Sequence, residues 1–120
     1  MTDERPAVWV GHVAMTATDP ACSHDFYLDV GMRTIHRGDD LAILELRGGT
    51  HLLLFRGDAT PGPAPFDLMV DDVDSTHAAW RDRGLPVSDV ARGSIHDQFT
   101  LTDPDGYELT VQNSHVEGVV

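Results

Sequence analysis

Two stretches of this chain say nearly the same thing. GHVAMTATDPACSHDFYLDVGM, from Gly11 to Met32, recurs in outline as APFDLMVDDVDSTHAAWRDRGL, from Ala64 to Leu85. Each copy runs from a short strand-like stretch through an acidic helix start and an amphipathic helix to a closing glycine. A repeat of this size predicts two stacked modules, since neither could bury its apolar face alone. The register sets His12 against Pro65, Asp19 against Asp72, Tyr27 against Trp80 and Gly31 against Gly84. A cavity between the copies therefore carries different chemistry on its two sides.

Local signals fill in the modules. Val8 to Thr16 has strand composition and runs into Thr18-Asp19-Pro20, where Thr18 or Asp19 caps a helix and Pro20 suits its first turn. Cys22, Phe26 and Tyr27 recur at helical spacing and are predicted to face the sheet, and Gly31 stands at a left-handed C-cap position. Strands are predicted over Met32 to His36, Leu41 to Leu46 and Thr50 to Arg56, the last two forming a hairpin around Gly48-Gly49. Gly57 to Pro65 is rich in glycine and proline and reads as an extended linker. The order then repeats: a strand at Phe66 to Val70, a helix carrying Val73, His77 and Trp80, and strands at Pro86 to Ala91, Gln98 to Thr102 and Tyr107 to Gln112. Asp103-Pro-Asp-Gly106 is a strong turn signal. The tally is βαβββ twice, an α+β chain of one domain over 1–120, with modules at 8–56 and 66–113 and a linker at 57–65.

Charge excludes some partners. Twenty acidic residues against eight basic ones, all arginine, give a net charge of −12. Such a surface repels phosphate backbones and anionic lipid, which argues against nucleic acid and membranes as partners. No apolar run approaches the roughly 20 residues that cross a bilayer. The polar opening Met1-Thr-Asp-Glu-Arg-Pro lacks an apolar h-region, from which a cytoplasmic location is expected. The lone Cys22, without a CxxC partner, reads as a structural thiol.

The doubled βαβββ pattern, with FYLDVGM in the first helix, VDDVD opening the second and DPDGYELTV near the end, resembles the vicinal oxygen chelate superfamily over residues 9–113. That group takes in glyoxalase I, extradiol ring-cleaving dioxygenases, fosfomycin-resistance enzymes, methylmalonyl-CoA epimerase and bleomycin-binding proteins. The run IHDQFTLTDPDG followed by NSHV further resembles one subgroup of it. The resemblance implies half-open sheets that together form a cup, sometimes between paired chains, with metal ligands from the first and last strands of each module. It also implies a homodimer.

By that register the ligand positions fall on His12, His51, Pro65 and Thr110. Proline has no donor side chain and a threonine hydroxyl is a poor ligand for Zn²⁺, Ni²⁺ or Fe²⁺. Asp67, two residues along from Pro65 and so on the same side of a regular strand, could complete a set of two histidines and one carboxylate. His12 and His51 also suit hydrogen-bonded core positions, and Asp67 suits an edge strand or an arginine partner. Glu108 and His96 are the candidate proton carriers, with Phe99 and Thr110 expected along a substrate pocket. His115 reads as part of the tail, and His24, His36 and His77 as exposed residues without a role.

The resemblance leaves three functions open. One is an enzyme in which a divalent Fe, Mn, Ni or Zn ion, with no organic cofactor, binds adjacent oxygens of a small substrate, as in a lyase, isomerase or dioxygenase. The second is a metal-free cup that sequesters a drug or metabolite. The third is a degenerate domain that binds a regulatory partner. Two histidines at ligand register favour the first.

Overall fold

Both helices begin in the same way. Asp19 (φ −138°, ψ 92°) and Asp72 (φ −140°, ψ 108°) are extended, and their carboxylates accept from the backbone N–H of Cys22 and Ser75. Satisfying an otherwise orphaned helix donor in this way stabilises the start by about 0.5–2 kcal/mol. In this computed structural model, which describes residues 4–114, helix α1 spans Pro20–Val30 and helix α2 spans Val73–Asp82. Gly31 (φ 119°) and Gly84 (φ 80°) follow them in the left-handed region that a side chain resists.

Each helix lies against one mixed sheet. Strands β1 (His12–Ala17), β2 (Arg33–His36), β3 (Leu41–Glu45) and β4 (His51–Arg56) form the first, in the order β1-β4-β3-β2. β1 is parallel to β4 and the other pairs are antiparallel. In the second, β5 (Gly62–Pro63) and β6 (Leu68–Val70) follow one another along one edge of β8 (Tyr107–Asn113), both parallel to it. β7 (Gln98–Thr102) runs antiparallel along the other edge. The architecture is α+β, and β6, β7 and β8 stand in the second sheet where β1, β3 and β4 stand in the first.

Strand alternation divides each sheet into a covered and an open face. Met15, Ala17, Ala42, Leu44, Leu52 and Leu54 are buried on the side of α1, and Phe99, Leu101, Leu109 and Val111 join them in one core with Trp80 of α2. Complete burial of such a side chain contributes about 1.5–3 kcal/mol. The intervening residues, His12, Ala14, Thr16, His51, Leu53 and Phe55 among them, occupy the opposite face of the first sheet.

Several local expectations are corrected. No regular strand forms over Pro86 to Ala91, where only isolated bridges Val87–Leu101 and Ala91–Gln98 occur. The Ser88 hydroxyl accepts the Thr100 N–H at 2.8 Å, displacing a backbone acceptor from the ladder. Within the Gly57 to Pro65 stretch, Gly62 and Pro63 form a short strand that pairs with Tyr107 and Glu108. On α1 the inward residues are Pro20, Ala21, Ser23, His24 and Tyr27, while Cys22 is exposed. His24, expected on the surface, is 2% exposed. Its Nδ1 donates to the Asp25 carboxylate at 2.8 Å and its Nε2 shares a hydrogen bond with the Thr34 hydroxyl at 2.9 Å, so a polar ring is satisfied where apolar periodicity marks no core position. His77 is half-buried, donating to the Ser88 carbonyl and packing edge-on against Phe99.

Candidate functional site: a polar row and an open cavity

A row of polar side chains crosses the open face of the first sheet. Arg33 on β2 is the register partner of Glu45 on β3, Glu45 of His51 on β4, and His51 of His12 on β1. Consecutive partners on one face stand close enough to touch. The Arg33 guanidinium donates to Glu45 Oε1, and His51 Nε2 donates to Glu45 Oε2 at 3.0 Å. His12 meets His51 edge to face with ring centroids 5.8 Å apart. The Glu45 carboxyl is held below the usual carboxylate range, chiefly by the hydrogen bond from Arg33 and then by that from His51, against a smaller opposing effect of desolvation.

With Nε2 of His51 donating to a carboxylate, Nδ1 is the ring nitrogen left for a ligand. His12, edge to face with it, brings a second imidazole to the same sheet face. The donor chemistry fits a borderline metal and the carboxylate behind His51 is the customary support for such a ligand. Two donors make half a coordination sphere. Among the described residues, no three His, Cys, Asp or Glu side chains converge as a metal-binding group.

Asp67 explains the shortfall. It precedes β6 in the other sheet, and the Gln112 side-chain amide donates to it at 2.8 Å. Regular alternation also fails there: Gly62 faces Tyr107 and Leu68 faces Val111, so the edge accommodates two more residues than β8 does over the same span. Pro65, unable to donate to a ladder, lies in this irregular stretch. A single chain thus unites His12 with His51 and leaves Asp67 apart.

The second sheet presents an open cavity of about 410 Å³ lined by Pro86, Val87, Ser88, Thr100, Thr102 and Glu108. Thr102 and Glu108 are register partners, as are Thr100 and Thr110. Glu108 is in this lining, whereas Thr110, on the same face of β8, is not among the residues that line the cavity. Phe99 does not line this pocket: it is 2% exposed and packs edge-on against Trp80 and His77 on the opposite face. Its neighbours Thr100 and Thr102 take the pocket-facing positions, which the alternation in Gln98-Phe-Thr-Leu-Thr102 encodes. The lining offers hydroxyls, one carboxylate and apolar patches, and no arginine.

His96 belongs to the loop between residues 92 and 97 and is half-buried outside the cavity lining. Much of the conspicuous sequence around it holds this loop in place. Arg92 pairs with Asp74 and Asp97, and the Asp97 N–H donates to the Asn113 side chain. A Cβ on Gly93 would stand 2.5 Å from the His96 carbonyl oxygen, so the turn needs glycine. His115 lies outside the described residues. Sequence reasoning missed Glu45 and Arg33, although the hairpin through Arg47-Gly48-Gly49 was the signal that would set Glu45 opposite His51.

A family model for the Glyoxalase/Bleomycin resistance protein/Dioxygenase superfamily matches residues 9–111. The chain belongs to this superfamily. No curated protein matches it. Among solved structures it is similar to a lactoylglutathione lyase from Agrobacterium tumefaciens, with a TM-score of 0.77 and 22% identity over 96% of this chain and 100% of that one. It is also similar to TnmS3, an antibiotic binding protein from Streptomyces sp. CB03234, with a TM-score of 0.74 and 23% identity over 91% of this chain and 98% of that one. A bleomycin resistance determinant encoded on transposon Tn5 gives a TM-score of 0.72 and 20% identity over 91% of this chain and 100% of that one. These likenesses establish the superfamily fold. Among the described residues no helix is long and apolar enough to cross a membrane.

Proposed function

We propose that the protein is a cytoplasmic, small-molecule-handling member of the superfamily that acts as a homodimer, in which His12 and His51 of one chain hold a divalent Fe, Mn, Ni or Zn ion. The observation that carries this reading is the pairing of the two rings on an open sheet face with a carboxylate behind one of them. A bound ion of this kind polarises adjacent substrate oxygens, favouring lyase, isomerase or dioxygenase chemistry.

A further ligand comes from the second sheet of the partner chain, which offers the carboxylate of Asp67. The open faces support such pairing. Phe55 (45% exposed) and Met69 (51% exposed) leave apolar surface uncovered on the two sheets, and Val8, Trp9 and Val10 do so before the edge strand β1. Glu108, in the cavity lining, serves as proton acceptor, with His96 in the adjoining loop as the second candidate. No arginine lines the cavity, so it suits a neutral or cationic substrate better than a phosphate.

Metal-free sequestration of a small molecule is the second reading, favoured by the absence of a three-ligand group among the described residues of one chain. Elemental analysis of protein purified without a metal-affinity tag separates the two. Near-stoichiometric transition metal, lost in both His12→Ala and His51→Ala with the fold retained, is the expected result. An absence of metal, together with no thermal shift on adding Mn²⁺, Fe²⁺, Ni²⁺ or Zn²⁺, would leave sequestration. Sedimentation at micromolar concentration is expected to show a dimer, and a 13.1 kDa species alone would refute the shared site.

A further inference from the structure

The row on the first sheet contains two residues that a ligand list would pass over. Glu45 touches both neighbours at once, taking the Arg33 guanidinium on one oxygen and the His51 ring on the other. Its side chain is 17% exposed and that of His51 is 31% exposed, whereas that of Arg33 is 78% exposed. The row therefore runs from solvent at Arg33 toward the sheltered middle of the sheet. An isolated carboxylate there would retain several rotamers. Bound on one side by a guanidinium whose own strand is hydrogen-bonded in register, it has one orientation in which it also meets His51 Nε2.

We propose that Glu45, clamped by Arg33, is a positioning residue that holds the His51 ring with its Nε2 proton toward the carboxylate and leaves Nδ1 as the nitrogen open to a ligand. The inference rests on the reading of His12 and His51 as metal ligands for its purpose, but the geometry it asserts exists without metal. A ring free to rotate about χ2 would present either nitrogen and would have to be ordered when the ion binds. Holding it beforehand removes that cost, which is why removal of such an outer carboxylate weakens metal affinity by about 10–100-fold in other sites. His12 has no corresponding carboxylate among its register partners, so the two ligands are unequal: His51 is held ready and His12 relies on the ion.

Long-range ¹⁵N–¹H correlation spectra of the metal-free protein read the protonated nitrogen directly. The expected result is a His51 Nε2 proton in slow exchange with water, lost in Glu45→Ala and exchanging faster in Arg33→Ala. Calorimetric titration with Zn²⁺ alone is expected to show affinity about 10–100-fold lower in Glu45→Ala, with Arg33→Ala shifted less in the same direction. Circular dichroism checks the fold, and Arg33→Ala, altering an exposed side chain, keeps the test open should Glu45→Ala not fold. A proton on Nδ1 in the parent protein, or an unchanged Nε2 signal with unchanged Zn²⁺ affinity in the variants, overturns the inference. If the parent protein binds no Zn²⁺ at all, the metal reading fails, while the spectra still decide whether Glu45 positions the ring.

Discussion

The Tyr27 hydroxyl donates a 2.7 Å hydrogen bond to Oδ2 of Asp103, joining the helix of the first module to the turn that precedes the last strand of the second. Tyr27 is 0% and Asp103 6% exposed, so water cannot replace either partner. The other carboxylate oxygen accepts from the N–H groups of Asp105 and Tyr107, closing the Asp103-Pro-Asp-Gly106 turn. Burial pushes the phenol well above its ordinary pKa, with the Asp103 charge adding to the effect, so it remains a donor. Asp103 is itself raised by burial, with the Tyr27 hydrogen bond opposing the shift. Thr18 reinforces the joint by donating from its backbone and hydroxyl to Asp105.

Tyr27→Phe keeps the ring and removes only the donor. Leaving a buried carboxylate oxygen unsatisfied costs about 1–3 kcal/mol. Urea unfolding should show a loss of that size, and an unchanged midpoint would mean that the Tyr27–Asp103 bond contributes nothing to holding the modules together.

Phe99 and Thr100 are neighbours on opposite faces of β7, and their variants should behave in opposite ways. Phe99→Ala removes a ring packed against Trp80 and is expected to cost about 3–5 kcal/mol. Thr100→Ala is expected to change stability by no more than about 0.5 kcal/mol while altering small-molecule binding in the cavity. Thermal unfolding of the pair, with ligand-screening shifts for Thr100→Ala, provides the check.

Asp25 gives the protein one part of its acid sensitivity. Its carboxyl is held well below the usual range by a hydrogen-bonded ion pair with Arg37 and then by His24, against a small opposing effect of desolvation. A carboxyl depressed in the folded state contributes stability above its unfolded pKa of about 3.9, and that contribution is lost as pH falls through the folded value. The pair is exposed, which reduces its weight. Asp103, raised in the folded state, acts in the opposite direction. Asp25→Asn should therefore lose less thermal stability than the parent protein between about pH 5 and about pH 2, and parallel melting curves for the two would refute the assignment.

Much of the fold was legible because its signals are local. The Asp19 and Asp72 caps, the left-handed glycines after each helix and the strand alternation depend on residues a few positions apart. His12 and His51 were singled out together for a different reason: the superfamily resemblance implies ligand positions on the first and last strands of a module, and the parallel pairing of β1 with β4 sets the two side by side. His24 was misread because its burial depends on Thr34, a hydrogen-bonding partner ten residues away that periodicity does not weigh. Phe99 was assigned to the pocket although its own alternation with Thr100 and Thr102 pointed the other way.

By itself the sequence determined two like modules, the ends of their helices, the apolar face of each sheet and a pair of histidines on the first one. Only the tertiary structure decided which groups stand beside those histidines. Glu45 and Arg33 reach His51 through hairpin pairing across three strands, and Asp67 is separated from it because it precedes β6 in the second sheet, where its side chain meets Gln112. Inter-strand register is set by the summed pairing of whole strands, so one displaced residue redirects a side chain without leaving a mark on the residue itself.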